Sequence, residues 1–300
     1  MIIKKYISAA EMLARAEDVL TEKEAENNLP LGLLKRLAKE EENKNAREEG
    51  ESPLLVLVEN ESEHIEFIMV QTPPQNLVIC GNEEAVERAV LWLKENKVDI
   101  PGVVGCKPVV EKFANKWKDE TECNLQLFMK QKIYKLETLK EFPRKKGRLC
   151  YATEDDIALV TYWTQCFYEE ALEPKEKLQA EEFIMKEIKC NRIFLWRDEN
   201  GVPVSMAKRS RESENGVTVS LVYTPDEYKK QGYATTCVAA MSEWLLKEGF
   251  KFCSLYTDAD NHVSNRVYLK IGYEPIADSV EYRFISGTGQ KKAEDSGASI

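Results

Sequence analysis

Between Val219 and Thr236 a β-branched run, VSLVY, passes through Thr224 and Pro225 into a short charged loop and then into a helical pattern opened by Gly232 and Ala234. Few local patterns constrain a chain more. The first amides of a helix have no partner inside it and lie at the positive end of its dipole, so a strand that feeds such a helix through small residues makes a receptor for phosphate. Gly232 and Ala234 let an anion come close to the backbone. A strand, a glycine turn and a helix in that order also require a sheet with a helix packed on it, which is an α/β architecture.

Elements on either side fit a sheet of that kind. Helical patterns over 155–170 and 175–189 precede strand-like runs over 193–197, 202–208 and 217–223, the last two joined by a turn containing Asn215 and Gly216. A helix over 230–247 keeps Ala234, Val238, Met241 and Leu245 on one face and meets Gly249 at its C-terminal cap. A strand over 252–256, a short helix over 263–271 stopped by Gly272, and a strand over 280–284 complete the unit. The first part of the chain shows the same order with weaker signals: helices over 9–20 and 31–49, strands over 54–58, 65–70 and 77–80, a helix over 83–94, a loop over 101–107, a helix over 109–117 and a strand over 125–134. The repeat predicts two tandem copies of one mixed α/β (α+β) fold, each a mixed central sheet flanked by helices. The expected domains are 1–136 and 148–285, joined by a linker over 137–147 and followed by a polar, disordered tail over 286–300.

A second passage, Asn261 to Tyr273 (NHVSNRVYLKIGY), places a tyrosine seven residues after an asparagine and ends in Lys-x-Gly-aromatic. Together with Lys229, Lys230, Gln231, Gly232, Tyr233 and Ala234, which follow the pattern Arg/Gln-x-x-Gly-x-Gly/Ala except for lysine at its first position, the region resembles the GNAT (GCN5-related) N-acetyltransferase superfamily. The resemblance covers nearly all of 148–284. For the whole chain it extends to the tandem-domain bacterial type, whose first copy is degenerate. It implies an acyl-CoA N-acyltransferase fold in which the fourth and fifth strands of the unit splay apart to admit the pantetheine arm.

The resemblance also implies roles. Main-chain groups of Leu221, Val222 and Tyr223 pair with the arm like an added strand. Lys229 to Ala234, with the hydroxyls of Thr235 and Thr236, hold the pyrophosphate, and Asn261 and Asn265 contact the cofactor from the next helix. Acetyl-CoA is the expected co-substrate, without a metal. A backbone N–H near Val222 is the expected oxyanion donor, and Tyr268 the general acid that protonates the departing thiolate. Relatives often place a glutamate on the strand where this chain has Ser220. Glu169 and Glu170, at the end of the helix over 155–170, are the candidate bases, and a water chain is the alternative.

In the first copy the helix over 83–94 follows Cys80, Gly81 and Asn82 without a Gly-x-Gly or Gly-x-Ala turn, and no Asn-to-Tyr signature comes later. A degenerate copy that binds no CoA is expected there, with an unrelated α/β domain as the alternative. Its role is left between walling the acceptor site and forming a homodimer contact.

Composition narrows the function classes. A net charge of -10 over 300 residues opposes general nucleic-acid binding. The PRKKGR run over 143–148 reads as a solvated linker, with a nucleic-acid patch as the competing reading. No run reaches the ~20 apolar residues of a membrane span, and Met1 to Tyr6 lack the pattern of a signal peptide, so a cytoplasmic location and no membrane partner are expected. Eight cysteines without a CxxC pair, and two histidines, give no metal site. The expected activity is direct acetyl transfer from acetyl-CoA to a primary amine of a small molecule or peptide. The alternatives are a bulkier acyl donor, as in the glycine N-acyltransferases, and a CoA-binding regulator without turnover.

Overall fold

The computed structural model describes residues 1–42, 52–171 and 180–285. The expected tail over 286–300, and the parts of two expected helices over 43–49 and 175–179, lie outside the described residues. The chain runs β1 (Ile2–Tyr6), α1 (Ala9–Glu22), α2 (Asn28–Glu42), β2 (Leu54–Glu59), β3 (Ile65–Gln71), β4 (Leu77–Gly81), α3 (Val86–Glu95), β5 (Gly102–Cys106), α4 (Lys107–Thr121) and β6 (Asn124–Leu136). The same order then returns as β7 (Arg148–Tyr151), α5 (Ile157–Ala171), α6 (Ala180–Lys189), β8 (Ile193–Arg197), β9 (Pro203–Ser210), β10 (Gly216–Tyr223), α7 (Tyr233–Lys247), β11 (Phe252–Asp258), α8 (His262–Ile271) and β12 (Glu274–Ile285).

Two compact units result, Met1–Lys132 with the chain from Ala277, and Ile133–Ile276. The first unit therefore takes a strand from the end of the chain: Ser279 to Arg283 of β12 pair antiparallel with Cys106 to Gly102 of β5. Residues 137–147, read as a linker, lie within the second unit and carry no helix or strand.

In each unit the sheet is covered on both faces, which explains why its inner strands read as unbroken apolar runs rather than alternating ones. On β2, Leu54, Val56 and Val58 face a core shared with α3 and α4, while Leu55 and Leu57 face α1 and α2. In the second unit Phe194 and Trp196 of β8 pack towards α7, and Ile193 and Leu195 towards α5 and α6. Each fully buried side chain of this kind contributes about 1.5–3 kcal/mol, so the period-two split of β2 and β8 fixes the register of both sheets.

Three elements depart from the sequence expectation. β1 and β7 were not anticipated, because Lys4, Lys5 and Arg148 interrupt their apolar pattern. They pair antiparallel with β2 and β8 at the sheet ends, where charged residues suit an edge. The expected loop over 101–107 contains β5, parallel to β4 from Leu77↔Val103 to Ile79↔Gly105. Its glycines serve close strand contact rather than a turn: a Cβ on Gly102 would lie 2.3 Å from the Tyr282 carbonyl oxygen, and one on Gly105 2.3 Å from that of Ile79.

Gly272 caps α8 in the left-handed region, at φ 118°, and donates its N–H to the Tyr268 carbonyl at 3.2 Å. A Cβ there would lie 2.9 Å from the Thr138 carbonyl oxygen. Gly272→Ala is expected to lower stability by about 1–3 kcal/mol in urea unfolding, through both backbone strain and that contact.

Candidate acyl-CoA site

The sheet of the second unit parts between β10 and β11. β10 and β11 run parallel and pair only at Gly216↔Phe252, Val217↔Cys253 and Thr218↔Ser254. Beyond that level β10 bulges: Ser220 pairs with Lys208 and Tyr223 with Met206, so Leu221 and Val222 together face the single Ala207. Leu221 has φ 49°, a conformation that costs a branched side chain free energy and turns the strand. Buried hydrogen bonds hold the strand beyond the bulge, with the Ser205 hydroxyl 3.2 Å from the Tyr223 carbonyl and 2.9 Å from the Thr224 hydroxyl.

After Pro225 a single 3-10 turn over Asp226–Tyr228 leads to Lys229, extended, Lys230 at φ 61° and Gly232 at φ 89°, which is the N-terminal cap of α7. Gly232 is needed for that φ, and space is left above it: a Cβ would meet only the Cε of Lys145, at 3.7 Å. The amides of Gln231, Gly232, Tyr233 and Ala234 have no hydrogen-bond acceptor among the described residues. Four N–H groups without acceptors at a helix start, with space left at Gly232, fit a pyrophosphate.

Residues 157–273 match the family model described as Acetyltransferase (GNAT) family. This segment is similar to the GNAT family. That family carries acyl transfer as its general activity. Solved structures extend the likeness of fold to almost the whole chain. A GCN5-related N-acetyltransferase from Sphaerobacter thermophilus aligns over 95% of this chain and 96% of its own, at 13% identity and a TM-score of 0.61. A GNAT-family acetyltransferase from Colwellia psychrerythraea aligns over 95% and 100%, at 10% identity and 0.58. A tandem GNAT protein from the clavulanic acid biosynthesis pathway aligns over 94% and 97%, at 11% identity and 0.56. No curated protein matches the chain.

Within this segment the signature side chains are held by their own neighbours. The Lys229 ammonium lies 2.9 Å from Glu170 and 2.6 Å from Asp226. Burial lowers its pKa, but the hydrogen bonds to Asp226 and Glu170 outweigh this and leave it raised. Both oxygens of Glu170 thus face a cation, at 3.0 and 2.9 Å. Glu169 is exposed and forms no ion pair among the described residues. Gln231 donates its side-chain amide to the Glu227 carbonyl at 2.7 Å. Thr235 and Thr236 are buried in the first turn of α7, and the Thr236 hydroxyl accepts the Lys145 N–H at 3.1 Å. The Tyr223 ring packs 6.1 Å from that of Trp163, and its hydroxyl is pushed up by burial and by a hydrogen bond with Cys166.

Tyr268 is buried on α8 between the rings of Tyr134 and Tyr273, at 6.1 and 5.9 Å. Burial, reinforced by Tyr134, pushes its hydroxyl up to about 12, which keeps the proton on it at neutral pH. The two asparagines are engaged locally. Asn261 caps α8, its side-chain oxygen accepting the Ser264 N–H at 3.0 Å. Asn265 donates to the carbonyls of Asp258, Ala259 and Asn261 and accepts from the Tyr134 hydroxyl at 3.0 Å. Its polar capacity goes into shaping the turn between β11 and α8, which sets where Tyr268 stands.

Two groupings had no signal in the sequence, because their members are far apart along the chain. Lys145 lies beside Gly232. Arg211, at φ 41°, places its guanidinium 5.3 Å from the Tyr256 ring, on the part of β11 beyond its pairing with β10. Ser210, the residue before Arg211, has its hydroxyl 2.9 Å from that of Ser220. No group of three His, Cys, Asp or Glu side chains suited to a metal occurs among the described residues, and no helix there is long and apolar enough to cross a membrane.

Asn265→Ala removes the side-chain donor to the Asp258, Ala259 and Asn261 carbonyls, of which Asp258 and Asn261 keep a backbone donor, and the buried acceptor of the Tyr134 hydroxyl. We expect a loss of about 2–4 kcal/mol of stability in chemical unfolding, with Asn261→Ala costing about 1 kcal/mol as an ordinary cap.

Proposed function

We propose that the protein is an acetyl-CoA-dependent N-acetyltransferase acting on a primary amine by direct transfer. The observation that carries the proposal is the combination of parted parallel strands, the Leu221 bulge and the open amides at Gly232. Acetyl-CoA supplies a thioester carbonyl that the amine attacks and a thiol that departs. The amides of Gln231 to Ala234 bind the pyrophosphate, and the Thr235 and Thr236 side chains pack the turn that presents them. The edge of β10 from Leu221 to Tyr223 is an added-strand partner for the pantetheine arm, and the bulge aims the Val222 N–H at the carbonyl oxygen.

Tyr268 gives a proton to the leaving sulfur, a role suited to a hydroxyl that burial holds protonated. Of the two carboxylates at the end of α5, Glu170 positions Lys229 and Glu169 takes the proton of the attacking amine through water. The first unit supports the reading of a copy without CoA: its matching helix, α3, follows a turn whose Glu83 and Glu84 put negative charge where a phosphate needs positive.

Calorimetry is expected to show acetyl-CoA binding to wild type and none to folded Gly232→Trp; no binding to wild type sinks the proposal. Tyr268→Phe is expected to lower kcat by about 10²–10⁴-fold with the acetyl-CoA Kd unchanged. With rising pH the wild-type rate should climb as the amine loses its proton. A fall due to Tyr268 is expected only on the approach to about 12.

A second reading of the acceptor is favoured by Arg211, held in a strained conformation over Tyr256 and following Ser210, whose hydroxyl meets that of Ser220. A guanidinium and two hydroxyls in that position suit an amine that also carries a carboxylate, such as an amino acid. Arg211→Gln is then expected to raise KM for amino acids about tenfold or more and to leave KM for their carboxamides unchanged. An equal effect on both classes removes this reading.

A further inference from the structure

Residues 137–147 carry no regular structure, yet three bonds fasten them along the second unit. The Lys140 N–H donates to the Ile271 carbonyl at 2.8 Å, the Arg144 guanidinium to Glu243 at 2.5 Å, and the Lys145 N–H to the Thr236 hydroxyl at 3.1 Å. The third fastening is made on the first turn of α7. It starts the Lys145 side chain at the helix end that presents the open amides. The Lys145 Cε comes within 3.7 Å of the Cβ position of Gly232, and its Nζ lies 5.9 Å from the centre of the Tyr233 ring.

The cations around this turn are unequally committed. Arg144 is paired with Glu243, and Lys146 lies 3.9 Å from Glu199. Lys229, which opens the signature, is held between Glu170 and Asp226, so that cluster sums to one positive charge against two negative ones. Left to itself, the cluster repels a phosphate. Lys145 makes no ion pair with any carboxylate among the described residues, and its exposed ammonium stands over the glycine that leaves room for the anion.

We infer that Lys145, from the segment that precedes β7, is a direct ligand of the CoA pyrophosphate. This rests on the acyl-CoA reading above. The amides of Gln231 to Ala234 supply directed dipoles but no net charge. An ammonium placed over Gly232 supplies the point charge that Lys229, bound to two carboxylates, does not. The basic run read as a solvated linker is thereby divided by its neighbours: Arg144 fastens the segment, Lys145 serves the site, and Lys146 stays on the surface. The fastening bond uses the backbone N–H of Lys145, so removal of the side chain leaves the segment in place.

Calorimetric titration of CoA and of 3′-dephospho-CoA into wild type, Lys145→Ala, Lys145→Arg and Lys146→Ala, each at low and moderate salt, tests this. Lys145→Ala is expected to bind both ligands about tenfold more weakly than wild type and with a smaller salt dependence, at an unchanged unfolding temperature. Lys145→Arg should keep most of the affinity, and Lys146→Ala should match wild type. Equal CoA affinity of wild type and Lys145→Ala overturns the inference while leaving the acyl-CoA reading intact. A penalty present with CoA but absent with 3′-dephospho-CoA moves Lys145 to the 3′-phosphate and overturns the pyrophosphate assignment. A folded wild type that binds neither ligand removes the acyl-CoA reading itself.

Discussion

The parting of β10 and β11 after three residue pairs is the constraint on which the rest of the second unit depends. Two parallel strands that separate expose backbone groups that a sheet would otherwise satisfy, and such an edge is stable only if water or a ligand strand takes its place. The sequence accommodates the opening with a bulge at Leu221, hydroxyl bonds from Ser205 that hold the far side of the bulge, and Asn265, which gathers three carbonyls of the turn leaving β11. Each of these features costs free energy or consumes polar capacity locally. The two apolar layers on either face of the sheet offset the cost.

The opening brings three kinds of chemistry together. A helix start with unpaired amides suits a diphosphate, a bulged strand edge suits an amide-rich arm, and a buried tyrosine whose proton is firmly held suits a leaving thiolate. None of the three is specific alone. Taken together within one segment they make acyl transfer the coherent reading, and it agrees with the family match over 157–273. The first unit has the same order of elements and a parallel β4–β5 pair, but Glu83 and Glu84 stand at the start of the helix. One order of elements used twice thus carries the glycine turn before its helix in the second unit and two glutamates there in the first.

Much of this was legible along the chain because it depends on neighbours in sequence. The Gly232 turn, the caps at Gly249 and Gly272, and the apolar runs of β2, β8 and β10 are local signals set by φ, by helix ends and by two-faced burial. The strands β1 and β7 escaped notice because an edge strand tolerates lysine and arginine, and β5 because glycines that permit close strand contact look the same as glycines that permit a turn. The partners of Asn265 and Glu170 were not legible in the sequence. The asparagine's amide meets three carbonyls of the turn after β11, and both oxygens of the glutamate meet Lys229 from 59 positions away, contacts that no local pattern records.

The sequence by itself determined the class of fold, the recurrence of its element order, and the glycine turn that opens α7, since these follow from periodicity and from the φ demanded of a glycine at a helix cap. Only the tertiary structure decided which charges are spent and which are available. Lys145 and Gly232 are 87 positions apart by number, and Arg211 and Tyr256 are 45 apart. No local propensity records such distances, because the energy of a charge is set by what folds against it.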